Sequence, residues 1–389
     1  MPQACRSHAA GPRSKLSVAD LLIRHADACL RRFGDDLRAE ERKALQSIHL
    51  CRTPAMGGRG YRCAHCERDH YAYHSCNHRL CPVCGAAETK DWVAAQLERR
   101  LPVGHFLVTF TLPSQLRPLC RREARRFLSA SFAASSQALK DVLKDPRHLG
   151  GDCGMTGVLQ TWTQDLRLHP HIHYIVPAVG IDAKGKLKRP RKAGWLARGE
   201  VLASRMRALL LRRLEREGLL SKSDARPLWD IKWNCDVEDF GDGSNAIRYL
   251  GGYLERGPIS DSRIRGETSG SILIAVKDRE TDRERVVAIG KADFVRRYLQ
   301  HALPQGFHAV RRYGFLHPRA KAKLEAIRER LGVRLQAAKS DGRPAEPSPP
   351  PLCPRCRKPM EMTAKLSRAP PWERTVPKIW ARRDRRAAA

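Results

Sequence analysis

The residues best able to do chemistry are two histidines one position apart, in the stretch Gln164-Asp-Leu-Arg-Leu-His-Pro-His-Ile-His-Tyr-Ile-Val-Pro. From His171 to Pro177 the chain alternates and carries β-branched residues, as a strand does. Alternation puts His171 and His173 on one face and turns Ile172 to the other, where it anchors the strand in a core. Thr156 to Gln164 reads as a preceding strand. If the two form a hairpin with Gln164 opposite His171, the Gln164 amide joins both imidazoles. Such a trio, with open positions for phosphate oxygens, suits Mg²⁺ or Mn²⁺ better than a closed zinc site. His169 and Asp165 could each supply the third ligand instead. A His-x-His pair alone is more often a surface pair, so a second feature matters.

That feature is Tyr249-Leu-Gly-Gly-Tyr253. In a helix its tyrosines share one face, about 6 Å apart along the axis. Gly251 and Gly252 cost on the order of 1 kcal/mol each in a helix interior relative to Ala, which points to a backbone or ligand approaching closely. A phenol, with a pKa near 10, is a poor nucleophile at neutral pH, and a cation that polarises a scissile phosphate lowers the demand on it. Attack would leave a phosphotyrosine and a free 3′ hydroxyl, and a second tyrosine could make a second cut.

The thirteen cysteines give the other strong spacing signal. Cys63-x-x-Cys66 and Cys81-x-x-Cys84 resemble the paired knuckles of a zinc ribbon, so these four are expected to hold structural Zn²⁺. Cys51 and Cys76 are additional candidate ligands in the same segment, and with His70, His74 and His78 they leave open a second ion or a swapped ligand. Cys353-x-x-Cys356 stands alone far downstream, without evident partners.

These groups need elements to position them. Residues 17–50 read as short amphipathic helices, 51–92 as a segment too poor in apolar residues to hold itself without metal, His105–Leu112 as a strand and Arg121–Lys144 as a long helix. Helical spacing returns at Ala203–Leu220 and Ser244–Glu255, and Ser271–Val276 with Arg285–Ile289 reads as a hairpin. Strands adjacent in sequence and mixed with helices predict an α+β domain with an antiparallel sheet. Three segments are expected: 14–94, helices plus zinc-binding module; 100–318, catalytic domain; and 335–389, a basic Pro-rich tail, mostly disordered.

A chain of 389 residues with 73 Lys plus Arg against 41 Asp plus Glu, formal net charge +32, calls for an anionic partner. No apolar run is long enough to span a bilayer and no secretory signal is evident, so a cytoplasmic location and nucleic acid rather than membrane are expected.

The segments CRTPAMGG from Cys51, CPVC at Cys81, FTLP at Phe110, WTQ…HPHIH from Trp162, YLGGYLERGPIS from Tyr249 and FHAVRRYGFL from Phe307 occur in one order. Over roughly residues 20–316 the chain resembles the insertion-sequence-91 family of rolling-circle transposases, two-tyrosine members of the His-hydrophobic-His (HUH) endonucleases. The resemblance implies an HUH-like antiparallel sheet flanked by helices, preceded by a transposase zinc-binding domain. It also implies metal ligation by His171 and His173, nucleophiles at Tyr249 and Tyr253, and single-stranded DNA at element ends as substrate. Host replication machinery or a helicase would be the partner, at a bacterial nucleoid. The competing readings are a zinc-ribbon DNA-binding protein that does not cut, and a plasmid replication initiator or relaxase. Initiators and relaxases usually carry helicase or accessory modules, and no GK[ST] phosphate loop is present.

Overall fold

A computed structural model describes residues 16–84, 86–255, 257–278, 281–333 and 350–369, with the backbone alone at 86–91 and 252–255. The fold is α+β, its sheets antiparallel. The chain divides into two compact units, each assembled from separated segments: 1–86, 259–299 and 336–389 form one, and 87–258 with 300–335 form the other. Among the described residues no helix is long and apolar enough to cross a membrane.

The first unit packs helices Val18–Arg24, Ala26–Phe33 and Ala39–Leu50 with Lys291–Leu299. Leu21, Leu22, Leu45, Ile48, Phe294 and Tyr298 are fully buried, and the Tyr298 hydroxyl donates to the Leu80 carbonyl at 2.6 Å. Ser17 caps the first helix, its Oγ accepting from Asp20 N–H. Ile264–Glu267, Ser271–Lys277 and Glu284–Gly290 form one three-stranded sheet, and Glu361–Leu366, Gly58–Cys63 and Arg68–Tyr73 form another. The second draws on the stretch expected to be mostly disordered: residues 350–369 fold, and Gly58–Cys63 lies between a neighbour in sequence and a strand from far downstream. Residues 334–349 and 370–389 lie outside the described residues.

The second unit is built on a five-stranded sheet ordered Val310–Tyr313, Met155–Trp162, Leu168–Pro177, His105–Thr111, Asn234–Asp239. Every neighbouring pair is antiparallel. One face buries Phe106, Val108, Phe110, Ile172, Tyr174 and Val176 against helices Ala124–Lys144 and Gly199–Arg216. Burying a side chain of this size contributes roughly 1.5–3 kcal/mol, so this face is the main stabiliser of the unit. Gly157 is required there, since a Cβ at that position would come within 2.6 Å of the Tyr174 ring.

The opposite face is divided. At one end Leu107, Val158 and Ile175 pack against Ala246, Ile247 and Leu250 of helix Ser244–Glu255. Towards the other end the same face changes to Thr109, Thr111, Gln160, His171 and His173. The apolar end fixes the helix; the polar end carries the candidate chemistry.

Candidate functional site

His171 and His173 share a sheet face with Ile172 fully buried behind them, and their rings stand edge to face with centroids 4.8 Å apart. The Nδ1–H of His171 donates to the His169 carbonyl at 2.8 Å, which puts the lone pair of the neutral ring on Nε2. His173 is 5 % exposed, with Nδ1 2.9 Å from Thr109 Oγ1 and Nε2 3.1 Å from Gln160 Oε1. Burial, with the neighbouring imidazole second, pushes His173 down to about 3, so the ring is neutral, the form that binds a cation. Thr109 holds the ring from behind, as the outer partners of metal-binding histidines do.

The amide beside the histidines is Gln160, not Gln164. In the hairpin Gln160 lies opposite His171 and Trp162 opposite Leu168. The strand therefore ends two residues before Gln164, which sits in the turn. The turn sets this register: Thr163 N–H bonds to the Arg167 carbonyl, Leu166 N–H to the Thr163 carbonyl, and Leu166 takes a left-handed φ of 64°. Gln160 Nε2 donates to the Trp162 carbonyl at 3.3 Å, which aims its oxygen at His173. Two ligands at right angles on a cation at about 2.1 Å lie about 3 Å apart, so the separation of Gln160 Oε1 from His173 Nε2 fits a shared divalent ion. His169 and Asp165 are engaged elsewhere: Arg117 donates to His169 Nδ1 at 3.0 Å, and Asp165 pairs with Arg167 at 2.7 Å.

Tyr249, 48 % exposed, is set against this group, its ring edge-to-face with His173 at 6.3 Å between centroids. Tyr253 belongs to the same helix one turn on, and its side chain lies outside the described residues.

The cysteines group differently from their sequence spacing. Cys63 and Cys66 join Cys353 and Cys356, whereas Cys81 and Cys84 join Cys51 and Cys76; within each set the sulfurs all lie within 4.8 Å of one another. Four sulfurs at about 2.3 Å around zinc stand about 3.8 Å apart. Cys63 and Cys356 are 3.5 Å apart and Cys76 and Cys84 are 3.6 Å apart, close to that edge and far longer than a disulfide. The two knuckles of the first set match: Glu67 N–H bonds to the Cys63 carbonyl at 2.7 Å and Arg357 N–H to the Cys353 carbonyl at 2.9 Å. Glu67 and Arg357 both take left-handed φ, 53° and 62°. In the second set the Cys51 thiol is lowered by hydrogen bonds from Cys76, Cys81 and Cys84, while Cys51 in turn raises Cys76 and Cys81. Cys84 is lowered as well, to about 7, so two of the four thiols are eased towards thiolate and two are held back until a cation neutralises them. Both sets are built for structural Zn²⁺.

Residues 154–323 match a protein family described as "Putative transposase", and residues 21–112 match one described as a transposase zinc-binding domain. The chain is 32 % identical to "Putative transposase y4qJ" of Sinorhizobium fredii over 86 % of this chain and 89 % of that protein. It is 29 % identical to the transposase for insertion sequence element IS801 of Pseudomonas savastanoi pv. phaseolicola, over 72 % of this chain and 71 % of that one. No solved structure matches. The fold and its cysteine modules thus belong to a zinc-bearing transposase. Within that class the chain belongs to the insertion-sequence-91 family, with its N-terminal zinc-binding domain.

Proposed function

We propose that this transposase nicks and rejoins single-stranded DNA at the ends of its mobile element through a tyrosine nucleophile. The observation that carries the reading is Tyr249 set against His173, with Gln160 Oε1 3.1 Å from the same imidazole. His171, His173 and Gln160 would hold Mg²⁺ or Mn²⁺, which supplies charge neutralisation at the scissile phosphate when bound. Tyr249 or Tyr253 gives up its phenolic proton and attacks the phosphorus; a P–O bond to tyrosine forms and the bond to the 3′ oxygen breaks. The leaving 3′ oxygen takes a proton and becomes a primer end, while the 5′ phosphate stays on tyrosine at conserved bond energy for rejoining. The second tyrosine can cut again while the first is occupied, as rolling-circle transposition requires. Strand separation would fall to a host helicase or the replication machinery at the nucleoid.

The test is a labelled single-stranded oligonucleotide carrying an element end, incubated with Mg²⁺ or Mn²⁺ and run on a denaturing gel. A protein–DNA adduct is expected; persistent absence across candidate ends favours DNA binding without cleavage.

The third ligand is separately testable. Gln160→Ala should slow nicking about 10- to 100-fold and raise the cation concentration needed, whereas Gln164→Ala should leave both within about twofold. The reverse order would return the role to Gln164.

A further inference from the structure

Beyond the histidines, the same sheet face ends in a cleft of about 320 Å³. Ile175 and Pro177, two and four residues past His173 on its strand, form part of its floor, some 7 and 13 Å along. Ile247, Leu101, Leu316 and Leu324 extend this apolar surface, and Arg99, Arg312 and Lys321 stand on it.

The basic groups differ in what they face. Arg100 is tied to Asp242 and Ser244, and Arg328 lies 3.5 Å from Glu325. Among the described residues Arg99, Arg312 and Lys321 make no ion pair. Burial and the neighbouring Arg99 lower the pKa of half-buried Arg312, so the cleft holds like charges that an anion would relieve. Two residues of its lining also carry buried polar atoms without partners: Nε2 of Gln96, a residue 8 % exposed, and Oε2 of Glu325. Buried donors and acceptors are rarely left so in a complete site. A free phosphate would answer the arginines but neither the apolar floor nor this donor–acceptor pair. A nucleotide answers all three, since its base has a flat apolar face and an edge carrying both acceptor and donor groups.

We propose that this cleft seats one nucleotide of the single-stranded DNA, with its phosphate among Arg99, Arg312 and Lys321 and its base on the apolar floor beside Gln96 and Glu325. The inference rests on single-stranded DNA being the substrate, and it makes the cleft a recognition site a short way along the strand from the cut.

The test uses the full zinc-loaded chain and a fluorescein-labelled single-stranded oligonucleotide carrying an element end, read by anisotropy over a range of salt. An abasic residue is walked along the oligonucleotide. Wild type should show one position where the missing base weakens binding about tenfold. Arg99→Gln with Arg312→Gln should bind the intact strand about tenfold more weakly, lower the salt dependence by one to two phosphate contacts, and lose that position's effect. Far-UV circular dichroism and zinc content report whether the variant is folded; Arg312→Lys, which keeps the charge, should restore most of the affinity. Unchanged affinity in the double variant, or a flat abasic profile in wild type, would overturn the assignment. Absence of nicking by wild type at every end would count against the proposed function instead, and leaves this binding comparison readable.

Discussion

Alanine at His171 is expected to lower strand cleavage by at least about 10³-fold while DNA affinity stays within about twofold. His171 is held through Nδ1 by the His169 carbonyl on its own strand, a contact local to the motif. Its loss should therefore remove a ligand of the proposed cation while leaving the strand in place. His173 is the more demanding position, because Thr109 and Gln160 both contact it in a site only 5 % exposed. His173→Asn keeps a polar group there and should abolish cleavage with the same retention of binding. Single-turnover nicking and anisotropy on one oligonucleotide measure both quantities. Equal loss of binding and cleavage in the two variants would make the histidines structural.

Zinc content gives the second large effect. The native chain should carry two zinc ions, one for each four-cysteine set. Cys353→Ser with Cys356→Ser should leave one, and the strand Glu361–Leu366 should become a site of rapid proteolysis, because its knuckle no longer holds it to Gly58–Cys63. Structural zinc in small modules is worth about 10 kcal/mol or more of folding free energy, so the loss should also appear as a separate low-temperature unfolding transition. Cys63→Ser and Cys81→Ser must remove different ions, and together both. If they removed the same ion, the grouping by sequence spacing would stand and the one drawn from the fold would fail. Metal analysis of purified variants decides between them.

Those two cases show what the sequence could and could not reveal. The placement of His171 and His173 on one face follows from strand alternation, and the helix Ser244–Glu255 follows from its apolar spacing. An antiparallel α+β domain was legible for the same local reasons. Gln160 was not, because hairpin register depends on where the turn falls. The Thr163–Arg167 turn, with Leu166 at positive φ, closes earlier than a strand reaching Gln164 would allow. Thr109 was visible as part of a strand, but only cross-strand pairing with His173 gives it a role.

The pairing of the CxxC motifs was hidden for a different reason. Cys63 and Cys356 are separated by 293 positions, and no local spacing can reveal such a partner. Nearness of the two upstream CxxC pairs pointed to a shared site, with a second ion left open, yet the hairpin Gly58–Cys63 and Arg68–Tyr73 presents its knuckle to the returning strand Glu361–Leu366. The downstream CxxC had no evident partners in a Pro-rich, basic stretch. Its apolar contacts, Met360 and Cys353 against Tyr61 and Cys63, explain why part of that stretch folds.

The central claim is that DNA becomes joined to this helix. After reaction with an element-end oligonucleotide and Mg²⁺, nuclease trimming and trypsin digestion, cleavage after Arg248 and Arg256 releases Tyr249–Arg256 as one peptide. Tandem mass spectrometry should find a nucleotide joined through its 5′ phosphate to Tyr249 or Tyr253 in that peptide. Tyr249→Phe with Tyr253→Phe should abolish the adduct, and either change alone should leave part of it. An adduct on Tyr174 or Tyr313, or one surviving in the double variant, would contradict the account.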